Sequence, residues 1–324
     1  MEKKKNDFIA QGSILAVASI LVRVMGMIYR IPMTAIIGDK GNGFYSYAYS
    51  VYTILLLLSS YSLPLAVSKM VSAKAQLGQW RNVKRVFICA IAFAIGIGTT
   101  FGLTVLIGAQ FFTRVFFHSE LAAIALRFMA PTILIMALLG VFRGFFQGLQ
   151  NTLPTAVSQI VEGLINAIMS VVFAYFLFDF GHGMDAASGT TDLGYAWGAA
   201  GGAIGTGAGA LAGLIFCFIL FVAYRKILAV NISRDKTGTQ QEYGDIFRLM
   251  LSIALPVILS TALYNLIELV DGSLFNNIMA SKGMEDVKDS MWGAYNAKAL
   301  LLVHIPVSIS SNTKDGISSY FSDI

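Results

Sequence analysis

Eight apolar runs dominate the chain: residues 8–37, 44–68, 86–113, 121–146, 154–178, 195–224, 247–275 and 292–310. A helix that crosses a bilayer needs about 20 mostly apolar residues. In hydrocarbon every backbone N–H and C=O must be satisfied within the segment, so runs of this length become helices. The expected fold is all-α and polytopic, with about eight transmembrane helices. Only 13% of the residues are charged, against about 25% in soluble domains. Mean hydropathy is +0.70, which rules out an ordinary soluble domain.

The charges set an orientation. With the N-terminus inside, the inner segments carry twelve Lys and Arg: Lys3, Lys4, Lys5, Lys69, Lys74, Arg81, Lys84, Arg85, Arg225, Lys226, Arg234 and Lys236. The outer loops carry four: Lys40, Arg114, Lys282 and Lys288. Cytoplasmic loops are the ones enriched in Lys and Arg, so the N-terminus is expected in the cytoplasm. Topology and anionic lipid account for the net charge of +5, and nucleic acid is not an expected partner. Lys3 to Lys5 followed by an apolar run resembles the opening of a signal peptide. The run is about twice too long for an h-region and lacks a cleavage site, so it reads as a retained first span.

Gly38 to Gly43 is a short, glycine-rich turn that makes spans 1 and 2 a tight hairpin. Residues 69–85 mix Lys, Arg and Gln with Met70, Val71, Leu77 and Val83. They read as an amphipathic helix on the inner surface or as a solvated loop helix. Span 6 places Gly201, Gly205, Gly209 and Gly213 four apart, a face that lets another helix approach closely. The polar stretch after span 6 is the best internal boundary. A weak repeat supports it: Leu55 to Ser68, with Pro64, resembles Leu300 to Ser310, with Pro306. A six-helix repeat then divides the chain into a complete N-terminal lobe (1–225), a cytoplasmic linker (226–245), the first two helices of a second lobe (246–310) and a polar tail (311–324). Transporters built from such repeats place the substrate path between them.

Polar and charged residues inside the spans point to that path. A charge at mid-bilayer costs at least ~2.5 kcal/mol on insertion scales, so such residues usually face a bundle interior or a watery cavity. Ser19, Arg23, Gly26 and Arg30 share one face of helix 1. Gln159, Glu162, Asn166 and Ser170 share a face of span 5. Thr261, Asn265, Glu268 and Asp271 lie on span 7, and Arg143 and Gln147 end span 4, whose outer half carries Arg127. On one reading these faces line one cavity. Arg23, Arg30, Gln159, Glu162, Asn166 and Glu268 would bind substrate there. Arg23 and Arg30 would hold an anion, since guanidinium groups match phosphate oxygens. Their attachment points lie about 10 Å apart at ~1.5 Å rise per residue, which suits an elongated headgroup. Glu162, Glu268 and Asp271 would serve as counter-charges or bind H⁺ or Na⁺, with Glu268 and Asp271 as the coupling-ion candidates. On the other reading Arg23 pairs with Glu162 or Glu268 as a structural ion pair, and Arg143 and Asp271 snorkel to the interface.

Cys89 and Cys217 sit in apolar runs and read as packing residues. His118, His182 and His304 are scattered. No catalytic constellation, metal site or cofactor site is expected, and the chain does not read as an enzyme.

The run Arg143-Gly-Phe-Phe-Gln147-Gly-Leu-Gln150-Asn-Thr-Leu-Pro154-Thr-Ala-Val-Ser158-Gln-Ile-Val-Glu162 resembles the span 4 to span 5 junction of the multidrug/oligosaccharidyl-lipid/polysaccharide exporter superfamily. Arg23-Val-Met-Gly-Met-Ile-Tyr-Arg30-Ile-Pro32 resembles the first helix of its stage V sporulation protein B-like, lipid II flippase-like branch. The resemblance covers most of 1–310. It implies a two-lobed fold of twelve to fourteen helices that moves a lipid-linked sugar diphosphate across the membrane by alternating access. It also implies that Arg23 and Arg30 line the cavity, and that a chain with eight helices is C-terminally truncated.

Three functions compete. The first is a flippase for an undecaprenyl diphosphate-linked cell-wall or polysaccharide precursor, whose lipid tail stays in the bilayer. The arginine face favours it. The second is an ion-coupled multidrug exporter of the same superfamily, in which the acids bind a cationic substrate. The third is a truncated membrane protein that does not transport.

Overall fold

The computed structural model describes residues 15, 17–189 and 191–300. Among these every regular element is helical. Six helices are long and apolar enough to cross a membrane: Arg30–Gln76, Trp80–Phe117, Ala122–Gly148, Leu153–Ala186, Leu193–Ser233 and Tyr243–Ser281. Rows of large apolar side chains stay exposed on them, such as Leu103, Ile107 and Phe111 at helical spacing. Contiguous apolar surface of this kind is untenable in water and is what lipid solvates. The chain is an all-α, multi-pass membrane protein.

The first two expected spans are the arms of one hairpin. Helix α1 (Val17–Ile28) runs into α2 (Arg30–Leu56). Hydrogen bonds from Tyr29 N–H to the Met25 carbonyl (3.1 Å) and from Met33 N–H to the Tyr29 carbonyl (3.2 Å) carry the helix through. The reversal comes at Gly38 alone, with φ 62° and ψ −177°. That backbone conformation is open to glycine and rarely to other residues. Residues 39–43, expected in the turn, are already helical. Asn42 closes the bend by donating its side-chain amide to the Gly38 carbonyl (2.8 Å).

After α2 the chain forms a π stretch, Leu57–Tyr61, and then α3 (Leu63–Gln76). Pro64 explains the irregularity. It has no N–H to give, and its ring clashes with the carbonyl four residues back, so the helix widens to pass it. The Ser59 and Ser60 hydroxyls donate to the Leu56 carbonyl (3.0 and 2.9 Å).

Residues 69–85 do not form a separate surface helix. They are the end of α3, a turn at Gly78 (φ 70°), and the start of α4 (Trp80–Phe117). Met70, Val71 and Val83 are buried in the bundle. The core claimed those apolar positions, which alternate with charges much as they would on a membrane surface.

Helices α5 (Ala122–Gly148), α6 (Leu153–Ser188) and α7 (Leu193–Ser233) complete the bundle. The α7 glycines meet α6 as their spacing foretells. A Cβ on Gly201 would strike Ala174, one on Gly205 would strike Ser170, and one on Gly209 would strike the Glu162 carbonyl. Helix α7 continues eight residues past the expected end of the lobe. The non-helical link is 234–242, followed by α8 (Tyr243–Ser281), α9 (Glu285–Ala294) and a second π stretch, Tyr295–Ala299. The remainder of the eighth span, its Pro306 half of the repeat, His304, Lys3 to Lys5 and the polar tail lie outside the described residues.

Two apolar cores stack along the bundle. One gathers Tyr47, Phe117, Leu126, Met129 and Trp292. The other gathers Leu63, Phe87, Phe142, Phe145 and Met250. At the end next to the second core the linker is tied to α4. Asp235 is buried and accepts from Arg81 N–H (2.9 Å), Thr237 N–H (3.0 Å) and the Thr237 hydroxyl (2.7 Å). These donors hold its carboxyl down at about 2. Arg85 donates to the Gln241 carbonyl (2.5 Å) and to the Gln240 side chain (2.7 Å). At the opposite end Lys40 pairs with Asp192 (2.8 Å), and Asp185 caps α7 by accepting from Leu193 and Gly194 N–H (3.0 and 2.9 Å).

Candidate functional site

The hairpin at Gly38 decides which residues meet. It folds α2 back along α1, so Tyr29, Arg30 and Met33 face Asn42, Tyr45, Ser46 and Tyr49. Helix α8 adds Glu268, and the stretch after α9 adds Asn296, Ala297 and Leu300. Together they enclose a cavity of about 200 Å³. Arg30 and Glu268 bring opposite charges to it. The Ser50 hydroxyl lies 3.4 Å from Glu268 Oε1.

Aromatic rings form one wall. Tyr45 and Tyr49, which line the cavity, stack at 5.8 Å and 17°; Tyr52, outside the lining, meets Tyr49 at 5.9 Å and 45°. The Tyr45 hydroxyl shares a hydrogen bond with Thr206 of α7 (3.3 Å). These tyrosines and Asn42, Ser46 and Asn296 did not emerge from reading the chain for charges. Tyr45, Tyr49 and Tyr52 are spaced four and three apart, which places them on one helix face, and that spacing was the available signal.

The other candidates divide. Arg23 is exposed on α1. Its neighbours Val22 and Met25 pack over Gly163 of α6, where a Cβ would stand 3.2 Å from each. Glu162 pairs with Arg143 at 2.7 Å, and Arg143 also donates to the Ser158 hydroxyl at 2.8 Å. Arg143 is therefore drawn inward, its side chain 12% exposed, and does not snorkel. Gln147 donates to Thr155 (3.3 Å) across the same α5–α6 turn. Asn166 accepts the Ser170 hydroxyl (2.8 Å), and Ser170 also reaches the Gly202 carbonyl (3.3 Å). These two belong to the α6–α7 seam. Gln159 Oε1 is buried with no hydrogen-bond partner among the described residues. Asp271 is exposed on α8, and it does not line the cavity that Glu268 lines. Thr261 and Asn265 bond back to their own helix, to the Val257 and Thr261 carbonyls (2.7 and 2.8 Å).

Chemically the cavity offers one fixed cation (Arg30), one carboxylate (Glu268), three phenols (Tyr29, Tyr45 and Tyr49), two amides (Asn42 and Asn296) and the Ser46 hydroxyl. It can hold an anionic, hydroxyl-rich group by ion pairing and hydrogen bonding. Among the described residues no three His, Cys, Asp or Glu converge as a metal site would need.

Residues 8–315 match the family described as polysaccharide biosynthesis protein. The chain is 26% identical over 310 residues to the lipid II flippase MurJ of Bacillus subtilis (strain 168), covering 92% of this chain and 54% of that protein. It is 25% identical over 311 residues to stage V sporulation protein B of the same organism, covering 94% and 56%. The chain thus spans about half the length of the curated relatives it matches. Among solved structures, it superposes on an inward-facing multidrug resistance MATE family transporter of the MOP superfamily. The TM-score is 0.63 at 16% identity, over 87% of this chain and 60% of that one. It also superposes on a MOP superfamily transporter from Pyrococcus furiosus, with TM-score 0.59 at 16% identity, over 89% and 62%. These two likenesses establish the fold.

Proposed function

The chain belongs to the polysaccharide biosynthesis protein family, within the multidrug/oligosaccharidyl-lipid/polysaccharide exporter superfamily, and from that premise we propose that it moves an undecaprenyl diphosphate-linked cell-wall or polysaccharide precursor across the bacterial plasma membrane. The observation that carries this reading is Arg30 in a tyrosine- and amide-lined cavity. The sugar and diphosphate enter the cavity while the isoprenoid tail stays in the bilayer. Arg30 binds the diphosphate through paired N–H donors, a geometry a guanidinium provides and an ammonium does not. Arg23, two turns away on α1, receives the headgroup as it moves. The tyrosines and Asn296 hydrogen-bond and pack against the sugar. Glu268 balances Arg30 when the cavity is empty and binds H⁺ or Na⁺ when substrate displaces that pairing. The alternation of states carries the headgroup across, and no bond in the substrate is made or broken. The count of basic residues supports a cytoplasmic N-terminus.

Translocation of a fluorescent lipid-linked sugar diphosphate in vesicles tests the reading. Arg30→Ala lowers the rate at least tenfold with unchanged membrane insertion, Arg23→Ala lowers it less, and Arg30→Lys does not restore it. Equal rates in all four proteins would overturn the assignment. The acid in the same cavity favours one alternative, a cation exporter. Glu268-dependent dye efflux without lipid-precursor movement would establish that in its place.

A further inference from the structure

Lys288 is the most deeply buried lysine among the described residues, 4% exposed. Its ammonium lies 3.0 Å from the Phe117 carbonyl, 3.2 Å from the His118 carbonyl, 3.3 Å from Asn276 Oδ1 and 3.1 Å from Asp289 Oδ1. It also stands 5.9 Å from the centre of the Tyr47 ring, whose hydroxyl donates to Asn276 (3.0 Å). Phe117 and His118 end α4, where the last carbonyls lack helical partners and carry the negative end of the helix dipole. One ammonium thus gathers α2, α4, α8 and α9 at the end of the bundle opposite Asp235.

The backbones around it touch. A Cβ on Gly43 would run into the Asp289 carbonyl, and one on Gly293 would run into the Asp39 carbonyl. Trp292 fills the gap between Tyr47 and Phe275, with ring centres 6.3 and 5.2 Å away. Lys298 adds a hydrogen-bonded ion pair to Asp39 (2.8 Å). The cavity begins immediately beyond this seam. Asn42 adjoins Gly43, Asn296 lies one turn past Gly293, and both line the cavity.

We propose that Lys288 is a positioning residue that shuts this end of the cavity as a tethered cation, and that the seam of α9 against α2 and α4 opens when the ammonium leaves its oxygen cage. Around the ammonium, parting the seam exposes an ammonium, carbonyls and a carboxylate, all of which water solvates well. The Trp292 ring beside them, packed between Tyr47 and Phe275, supplies the apolar contact that favours the closed position. The assignment rests on the transport reading only in taking the cavity as the substrate's path.

The test uses accessibility and needs no substrate. Ser46→Cys, in the cavity wall, is the reporter; the native Cys89 and Cys217 are buried. A separate Met284→Cys chain, exposed in the loop between α8 and α9, identifies the Lys288 face in sealed vesicles. A membrane-impermeant maleimide is applied to each face in turn. Lys288→Met and Gly43→Ala each raise labelling of the reporter thiol from the Met284 face at least fivefold and leave the opposite face unchanged. One removes the cation and the other wedges the seam by a single methyl group, so either variant carries the test if the other fails to accumulate. Parental labelling rates with a lowered melting temperature would make Lys288 merely structural and overturn the proposal, as would an equal rise from both faces. Loss of translocation with unchanged labelling would also count against the seam while leaving the flippase reading intact.

Discussion

Arg143 and Glu162 close an ion pair across the turn between α5 and α6. One reading of the sequence pairs Arg23 with Glu162 or Glu268 as a structural ion pair. Turn arithmetic gives the observed answer. Residues 149–152 are a short connection, so positions similar distances before and after it face each other in an antiparallel helix pair. Arg143 therefore meets Ser158 and Glu162. The two side chains are 12% and 25% exposed, so removing one member leaves the other partly uncompensated and costs less than the ~3–5 kcal/mol of a fully buried pair. Arg143→Leu and Glu162→Leu are each expected to destabilise the protein in nanodiscs. The double variant should recover part of the loss, with a coupling of about 0.5–3 kcal/mol. Thermal unfolding of the four proteins measures it, and additive losses would contradict the pair. Asp235 makes a second prediction at this scale. Its carboxyl is depressed from 3.8 to about 2 by the donors around it. A depressed folded-state pKa gives stability that is fully present above the unfolded value and is lost as pH falls through the folded value. Protection of the Arg81 and Thr237 amides from hydrogen exchange should hold at pH 5 and above and fall between about 3.8 and 2. Asp235→Asn should lose that protection at every pH.

At the scale of helices, the glycine face of α7 was legible because helix geometry makes every fourth residue a neighbour, and small residues there permit close approach whatever the surrounding fold. The segment 69–85 was not legible. Its pattern of apolar and charged residues fits a membrane surface and a bundle core equally, and only the packing of Met70, Val71 and Val83 decides. Helix α7 also runs past the apolar run 195–224 to Ser233, since polar residues after 225 end an apolar run without ending a helix. The contact face yields a contrast between two glycines. A Cβ on Gly205 meets Ser170, whereas nothing lies within 4 Å of one on Gly96. Gly205→Ala should cost about 1–3 kcal/mol through overpacking. Gly96→Ala should be neutral or stabilising by up to about 1 kcal/mol through helix propensity. Equal effects in a thermal unfolding assay would mean that the α6–α7 contact does not govern stability.

Across the whole molecule, α8 and α9 are held to the rest at both ends and by little between. At one end the linker lies on α4 through Asn82, Arg85 and Asp235. At the other, Lys288 reaches the end of α4 171 positions earlier in the chain. No local pattern reports a contact of that span, which is why Lys288 read as one more loop lysine. Its burial follows from the unpaired carbonyls of a distant helix end. This two-point attachment has a consequence for a cut chain. Gly238 is exposed in the linker with φ +66° and open space around it, so a protease site inserted there is accessible without disturbing a helix. Cleavage in nanodiscs should leave both fragments associated, because the Lys288 seam and the stacked Trp292 persist when the linker is severed. The same cleavage in the Lys288→Met chain removes one anchor chemically and the other covalently. Its C-terminal fragment should then dissociate on transfer to detergent, at least several times faster than the fragment from the parent chain. Pull-down through an N-terminal tag reads the difference, and equal retention would show that the linker contacts with α4 suffice to hold the two segments together.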